Sequence, residues 1–470
     1  MLLLPFALLP IFRVTPLSII ILVSLLMPPV GHNNIITYAQ KEIEGVNASI
    51  GGEEEPSIKD PNLGVQLVSE GLEFPTSMAF LGPDDILVLE KEKGTVQRIV
   101  NGMILPTPVL TVNVATEVER CMCGIAVSKS DSGGVYVFLY FTEAAASGGG
   151  TSGSSSEPVG NRLYRYEWIN DQLVNPKLLL DLPAIPGPRH NGGVVNIGPD
   201  NDVYVIIGDV DGHLTQAQNQ ESGEEPVDGT SGILRITQDG QPVVSSAGTV
   251  GILGNTYPLN LYYAYGIRNS FGFDFDPVTG NIWDTENGPG YGDEINLVEP
   301  GFNSGWLEIS GFPSSSSIDD DEGFNPEEDL VNFGGKGKYS DPEFEWTETL
   351  GPTAVKFLNS DKLGIMYVND MFVSDVVTGR IYHFDLSEDR TQLILDDLLA
   401  DKVAETRDTG IENIVFAEDF GGITDLEVGP DDGYLYVVSL GHGAIYKILP
   451  ASDVVSISDD IQEEEEEDKE

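Results

Sequence analysis

The sequence predicts an all-β fold, a six-bladed β-propeller of four-stranded antiparallel blades. Three observations lead there. Short β-branched and aromatic runs recur in six pairs, divided by turns rich in Gly and Asp. No convincing long amphipathic helix interrupts them. The repeats run from Asn62 to Pro450, more chain than a two-sheet sandwich usually fills as one unit. A sheet repeating at this coarse period is the pattern of propeller blades.

The six units follow in order. Ile86–Glu90 pairs with Thr95–Ile99, Val135–Phe141 with Arg162–Tyr166, and Val203–Ile207 with Ile233–Ile236. Gly280–Trp283 then pairs with Glu294–Val298, Met371–Val373 with Arg380–Phe384, and Tyr434–Val438 with Ala444–Ile448. Several are preceded by a Gly-Pro-Asp or Asp-Pro turn, at Gly82, Gly198, Asp276 and Gly429. Two insertions interrupt the pattern. Ala144–Ser156 is Gly/Ser-rich and reads as a flexible loop, and Ser314–Lys338 as an acidic, turn-rich loop.

The flanks divide the chain further. Residues 1–39 carry a short apolar core, Leu17–Met27, suited to an export signal cut after Ala39 or to a retained N-terminal anchor. Residues 40–61 form a polar linker with a glycosylation sequon at Asn47, and residues 451–470 end in an acidic tail. The expected location is secreted or extracytoplasmic. With 76 Asp and Glu against 24 Lys and Arg, the net charge is −52. Such a surface offers phosphates no positive counterpart, which excludes nucleic acid as a partner and argues against docking on an anionic membrane. The two cysteines, Cys121 and Cys123, read as small semi-buried loop residues, with a disulfide or redox role as the alternative.

Chemistry concentrates in two stretches. His190 precedes Gly192 and Gly193, so it sits in a turn, and imidazole accepts protons near neutral pH. Asp209, just past the following apolar run, can orient such a base. A turn histidine with no role remains the other reading of these residues alone. The second stretch, Tyr263–Trp306, holds Gly266-Ile267-Arg268-Asn269, Glu286-Asn287-Gly288-Pro289 and Asp293-Glu294-Ile295-Asn296 at short fixed separations.

This ordered set resembles the central segment of the glucose/sorbosone dehydrogenase family, the soluble quinoprotein sugar dehydrogenases. The resemblance covers roughly Asn62 to Pro450. It implies a six-bladed propeller that holds pyrroloquinoline quinone (PQQ) over calcium and oxidises an aldose at C1 to the lactone. It further implies His190 as general base and Asp209 as its orienting partner. Arg268 and Asn269 would be on the cofactor, with Arg268 facing the developing oxyanion. Gly288 and Pro289 would be backbone ligands of the active-site calcium, and Asp293 and Glu294 ligands of a further calcium. Glu119 and Trp346 would stand at the sugar. The expected partners are a small sugar and an external electron acceptor.

The sequence also departs from the family pattern. Asp375–Gly379 carries no Lys where the family places one, and Gly421–Asp425 keeps Asp425 without the usual arginines. Arg380 and Arg407 are nearby in sequence as substitutes. Loss of this cationic clamp supports the alternative of a non-catalytic, calcium-stabilised propeller that binds glycan or protein. A metal-dependent lactone hydrolase needs Glu, Asn and Asp converging on one ion, and no matching set assembles.

Overall fold

The computed structural model describes residues 55–130, 133–145, 157–219, 225–313 and 324–454. The export signal or anchor, Asn47, the acidic tail and most of the Gly/Ser-rich insertion lie outside these residues, as does the first part of the acidic insertion. Among the described residues no helix is long and apolar enough to cross a membrane.

The fold is an all-β propeller. Its described strands form six sheets, and each predicted pair of runs lies hydrogen-bonded within a different one. The expected uniform four strands are corrected. The second and sixth sheets have four strands, the first, fourth and fifth have five, and the third has six. The additions are short. Val403–Ala404 joins the fourth sheet, Ser57–Ile58 the fifth, and Phe302–Asn303 with Lys338–Tyr339 the third.

Each sheet starts from an inner strand: Pro75–Gly82, Met122–Lys129, Val195–Ile197, Gly272–Phe275, Pro352–Phe357 and Ile423–Val428. Consecutive inner strands pack side by side, and the Asn196 amide donates to the Phe273 carbonyl at 2.7 Å to bridge the third and fourth. The second strands are buried almost throughout, because neighbouring sheets cover both of their faces. Val203–Ile207 and Leu435–Ser439 are buried at every position. Large aromatics fill the wedges between sheets. Trp283, Phe344, Trp346, Tyr382 and Phe384 form one such cluster between the fourth and fifth.

The ring closes by hydrogen bonds from distant parts of the chain. Leu63–Glu70 pairs antiparallel with Ala444–Pro450 and completes the sixth sheet, while Ser57–Ile58 pairs with Val415–Glu418 of the fifth. Closure of this kind covers the Ala444–Pro450 edge with a strand from the other end of the chain.

Candidate active site

Antiparallel alternation decides where the predicted site residues meet. In every sheet the connection entering the inner strand and the one joining second to third strand emerge at the same end. Glu119, His190 and Arg268–Asn269 lie on connections of the first kind, and Asp209 and Asn287–Gly288 on connections of the second. All therefore gather at one end of the ring.

His190 adopts a left-handed backbone conformation, φ 57°, and is buried with Asp209. Its Nδ1 lies 2.5 Å from Asp209 Oδ1, and its N–H donates to Glu119 Oε2 at 2.5 Å. The Trp306 indole donates to Asp209 Oδ2 at 2.8 Å, and the Gly212 N–H to Oδ1 at 3.1 Å. Burial alone would raise the Asp209 pKa, but the His190 hydrogen bond and charge, with Arg268 nearby, hold it below the usual carboxylate value. His190 Nε2 is buried without a hydrogen-bond partner. Gly208 makes this packing possible. A Cβ there would stand 2.4 Å from the Arg268 carbonyl and 2.7 Å from that of His190.

Arg268 is buried beside this pair. Its guanidinium donates to the carbonyls of Asn287 at 2.8 Å and Gly288 at 3.0 Å, and lies 5.3 Å from the Trp306 ring centre. Burial lowers its pKa against the pull of Asp209, Glu119 and Glu286. Asn269 donates to Glu119 at 3.3 Å, and the side-chain oxygens of Asn269 and Asn287 are buried with no partner.

The strands Ile282–Glu286 and Asp293–Val298 carry the acids. Asp293 acts as a corner brace. It accepts the N–H groups of Gly288, Leu350 and Gly351 at 2.8, 2.7 and 2.8 Å, and burial pushes its pKa up to about 6. Glu294 accepts from Gly311 N–H and from Asn296 at 3.2 Å. Directly across the ladder, Glu286 faces Glu294 and Asp284 faces Asn296. Glu286 accepts the Arg268 N–H and the Ser304 hydroxyl, both at 2.6 Å. Both oxygens of fully buried Asp284, and the Asn296 amide oxygen, find no hydrogen-bond partner. Burial and mutual repulsion push Asp284, Glu286 and Glu294 upward. Oxygen-rich, under-satisfied and without a lysine or arginine among them, this donor set fits a hard cation such as calcium. Sequence reasoning missed Asp284, although its place two residues before Glu286 puts both on one strand face.

A cavity open to solvent runs from Glu119, Asn269 and Asn287 down the inner strands to Lys356, Asp425 and Glu427. His190 and Arg268 adjoin it through lining residues, His190 by its backbone N–H bond to Glu119 and Arg268 as the chain neighbour of Asn269. Lys91 and Arg407 also line it. Lys91 donates to the Val118 carbonyl at 2.8 Å, and Arg407 lies 3.8 Å from Glu348. Asp375 does not line the cavity. Its carboxylate closes a turn by accepting from the hydroxyls of Thr378 at 2.5 Å and Tyr382 at 3.0 Å. Arg380 is committed to the Arg407 carbonyl at 2.7 Å and to Asp408 at 3.0 Å. Lower down, Asp425 accepts from Ser77 at 2.9 Å, and Lys356 pairs with Glu427 at 3.1 Å and Asp274 at 3.5 Å. The cationic side chains of Lys91 and Arg407 suit a polyanionic planar cofactor.

Two expectations are corrected. Trp346 is fully buried against Phe344 and Tyr382, so packing with the core keeps it from any sugar entrance. Cys121 and Cys123 are disulfide-bonded to each other on the cavity wall rather than free.

Comparison with known proteins agrees with this fold. Residues 72–447 match the family model described as Glucose / Sorbosone dehydrogenase. The aldose sugar dehydrogenase YliI of Escherichia coli is 22% identical over 404 residues, 82% of this chain and 92% of its own. Among solved structures, the soluble aldose sugar dehydrogenase of E. coli in its apo form superposes with a TM-score of 0.62 at 19% identity, covering 83% of this chain and 99% of that one. The PQQ-bound aldose sugar dehydrogenase of Streptomyces coelicolor gives 0.57 at 22% identity, covering 84% and 99%.

Proposed function

Because the chain belongs to the glucose/sorbosone dehydrogenase family, we propose that it is a PQQ-dependent sugar dehydrogenase, a six-bladed propeller that oxidises an aldose at C1 to the lactone. The observation that carries the reading is His190, buried with Nδ1 fixed on Asp209 and Nε2 unpartnered. PQQ, when bound, supplies the two-electron acceptor for hydride. His190 Nε2 takes the C1 hydroxyl proton, while Asp209 fixes the tautomer and stabilises the imidazolium that forms. Arg268, buried where charge acts strongly, would supply positive charge to the cofactor. Glu119 bonds the His190 backbone and Asn269 together and borders the sugar space.

Asn269, Asn287, Lys91 and Arg407 would hold the cofactor, with the carbonyls of Gly288 and Pro289 on the active-site calcium. The buried group of Asp284, Glu294 and Asn296 would take the further calcium, whereas Asp293, expected as its ligand beside Glu294, has its carboxylate occupied by the N–H groups of Gly288, Leu350 and Gly351. Cationic Lys91 and Arg407 on the wall weigh against the binding-only alternative, which rested on lost clamp residues. Export by residues 1–39, or anchoring through them, and release of electrons to an external acceptor complete the reading.

The test is titration of calcium-loaded protein with PQQ, then dye-linked oxidation of aldoses. Tight PQQ binding with sugar-dependent dye reduction that disappears in His190→Gln supports the assignment. Absence of PQQ binding sinks it and favours the binding module.

A further inference from the structure

We propose a transition-metal site on the fifth sheet, built from Asp370, His383 and Asp385 and separate from the candidate active site. Its origin lies in strand register. Met371 pairs with Phe384 and Phe372 with His383, so Asp370 and Asp385 face each other just beyond the end of this ladder. His383 and Asp385 are two residues apart and share a face.

The three side chains offer one ligand atom each, all within 4.8 Å of one another. His383 Nε2 lies 2.9 Å from Asp370 Oδ2 and 3.9 Å from Asp385 Oδ1. Tetrahedral ligands held about 2.0–2.1 Å from zinc stand roughly 3.3 Å apart, and the observed separations straddle that value. The imidazole is held in place by Tyr367 and Phe372, whose ring centres lie 5.2 and 5.1 Å away. Two carboxylates therefore confront each other with no lysine or arginine bound to either among the described residues. Arg390, on the adjoining turn, is committed to Asp276 at 2.7 Å and to the Asn369 carbonyl at 2.5 Å. One nitrogen and two carboxylate ligands suit zinc or a neighbouring divalent ion, whereas calcium takes six to eight oxygens. Water would complete the coordination.

Calorimetric titration of the calcium-loaded full chain with Zn²⁺, and Co²⁺ titration followed by visible absorption, test this. The wild-type protein should show one saturable site that is weakened about tenfold or more in His383→Gln and in Asp385→Asn, with loss of its Co²⁺ band. The Asp385 side chain is 59% exposed, so its variant should keep the fold, which circular dichroism checks. Identical Zn²⁺ stoichiometry and affinity in wild type and both variants, or no binding at all, overturns the proposal. Sugar oxidation is not the readout, so failure here leaves the dehydrogenase assignment standing.

Discussion

His190 is placed for chemistry by bonds it makes with everything except its reactive nitrogen. Nδ1 is tied to Asp209, the backbone N–H to Glu119, and Nε2 is buried with no partner. Replacing it with Gln keeps the volume and removes the base. His190→Gln should lower kcat for aldose oxidation by about 10²–10⁴, the usual worth of a general base, with little change in melting temperature. Dye-linked kinetics beside a thermal melt will check both. Trp346 makes the opposite case. It is fully buried among aromatics, so Trp346→Ala should cost about 3–5 kcal/mol by denaturant unfolding while leaving the sugar KM near wild type. A large rise in KM without loss of stability would return Trp346 to the sugar site. Sequence made His190 visible because a His beside two glycines announces a turn. Trp346 misled, since a lone Trp in sequence does not reveal which side of a strand it faces.

At the scale of the element, the hairpin Ile282–Val298 concentrates negative charge in the interior. Asp293 binds about one proton more readily in the folded chain, with its pKa moved from 3.8 to about 6 by burial, and Asp284, Glu286 and Glu294 shift the same way. The folded state therefore holds more protons than the unfolded one between pH 3.8 and about 6. Stability from Asp293 is full below that window and is lost as pH rises through it, and Glu286, raised from 4.5 to about 7, loses its share at higher pH. Asp209 has the opposite sign. Its pKa is depressed, so its contribution is present above 3.8 and lost only as pH falls through the lower folded value. In a chelator, the melting temperature should fall as pH rises across the hairpin's window, and calcium should flatten the decline. Asp284→Asn should raise the metal-free melting temperature and shrink the gain from calcium. If that variant gains as much from calcium as wild type, Asp284 is no ligand.

The whole molecule depends on closure between sequence-distant strands. Leu63–Glu70 supplies the outermost strand of the sixth sheet, against Ala444–Pro450. A chain beginning at Glu55 should melt cooperatively like the full protein. One beginning at Gly71 leaves Ala444–Pro450 unpaired along one edge and should show a lower, broader transition by calorimetry. Equal melting of the two would mean that closure adds nothing.

The six paired runs were legible because β-branched and aromatic residues alternate with turn residues at every blade-like repeat, a local signal. The Gly266–Asn296 motifs were legible because tight turns need particular residues at particular places. Which strands join late, as Ser57–Ile58 and Val403–Ala404 do, was not, since two-residue strands carry almost no pattern. Sequence by itself determined the all-β repeat, the acidic surface and the order of the residues that could carry chemistry. Tertiary structure alone decided that Lys91 and Arg407 line the cavity, that Asp375 closes a turn, that Asp284 is buried unpaired, and that Cys121 joins Cys123. The physical reason is range: turn and strand propensities act over a few neighbours, whereas burial and charge pairing depend on which distant strands the ring brings together.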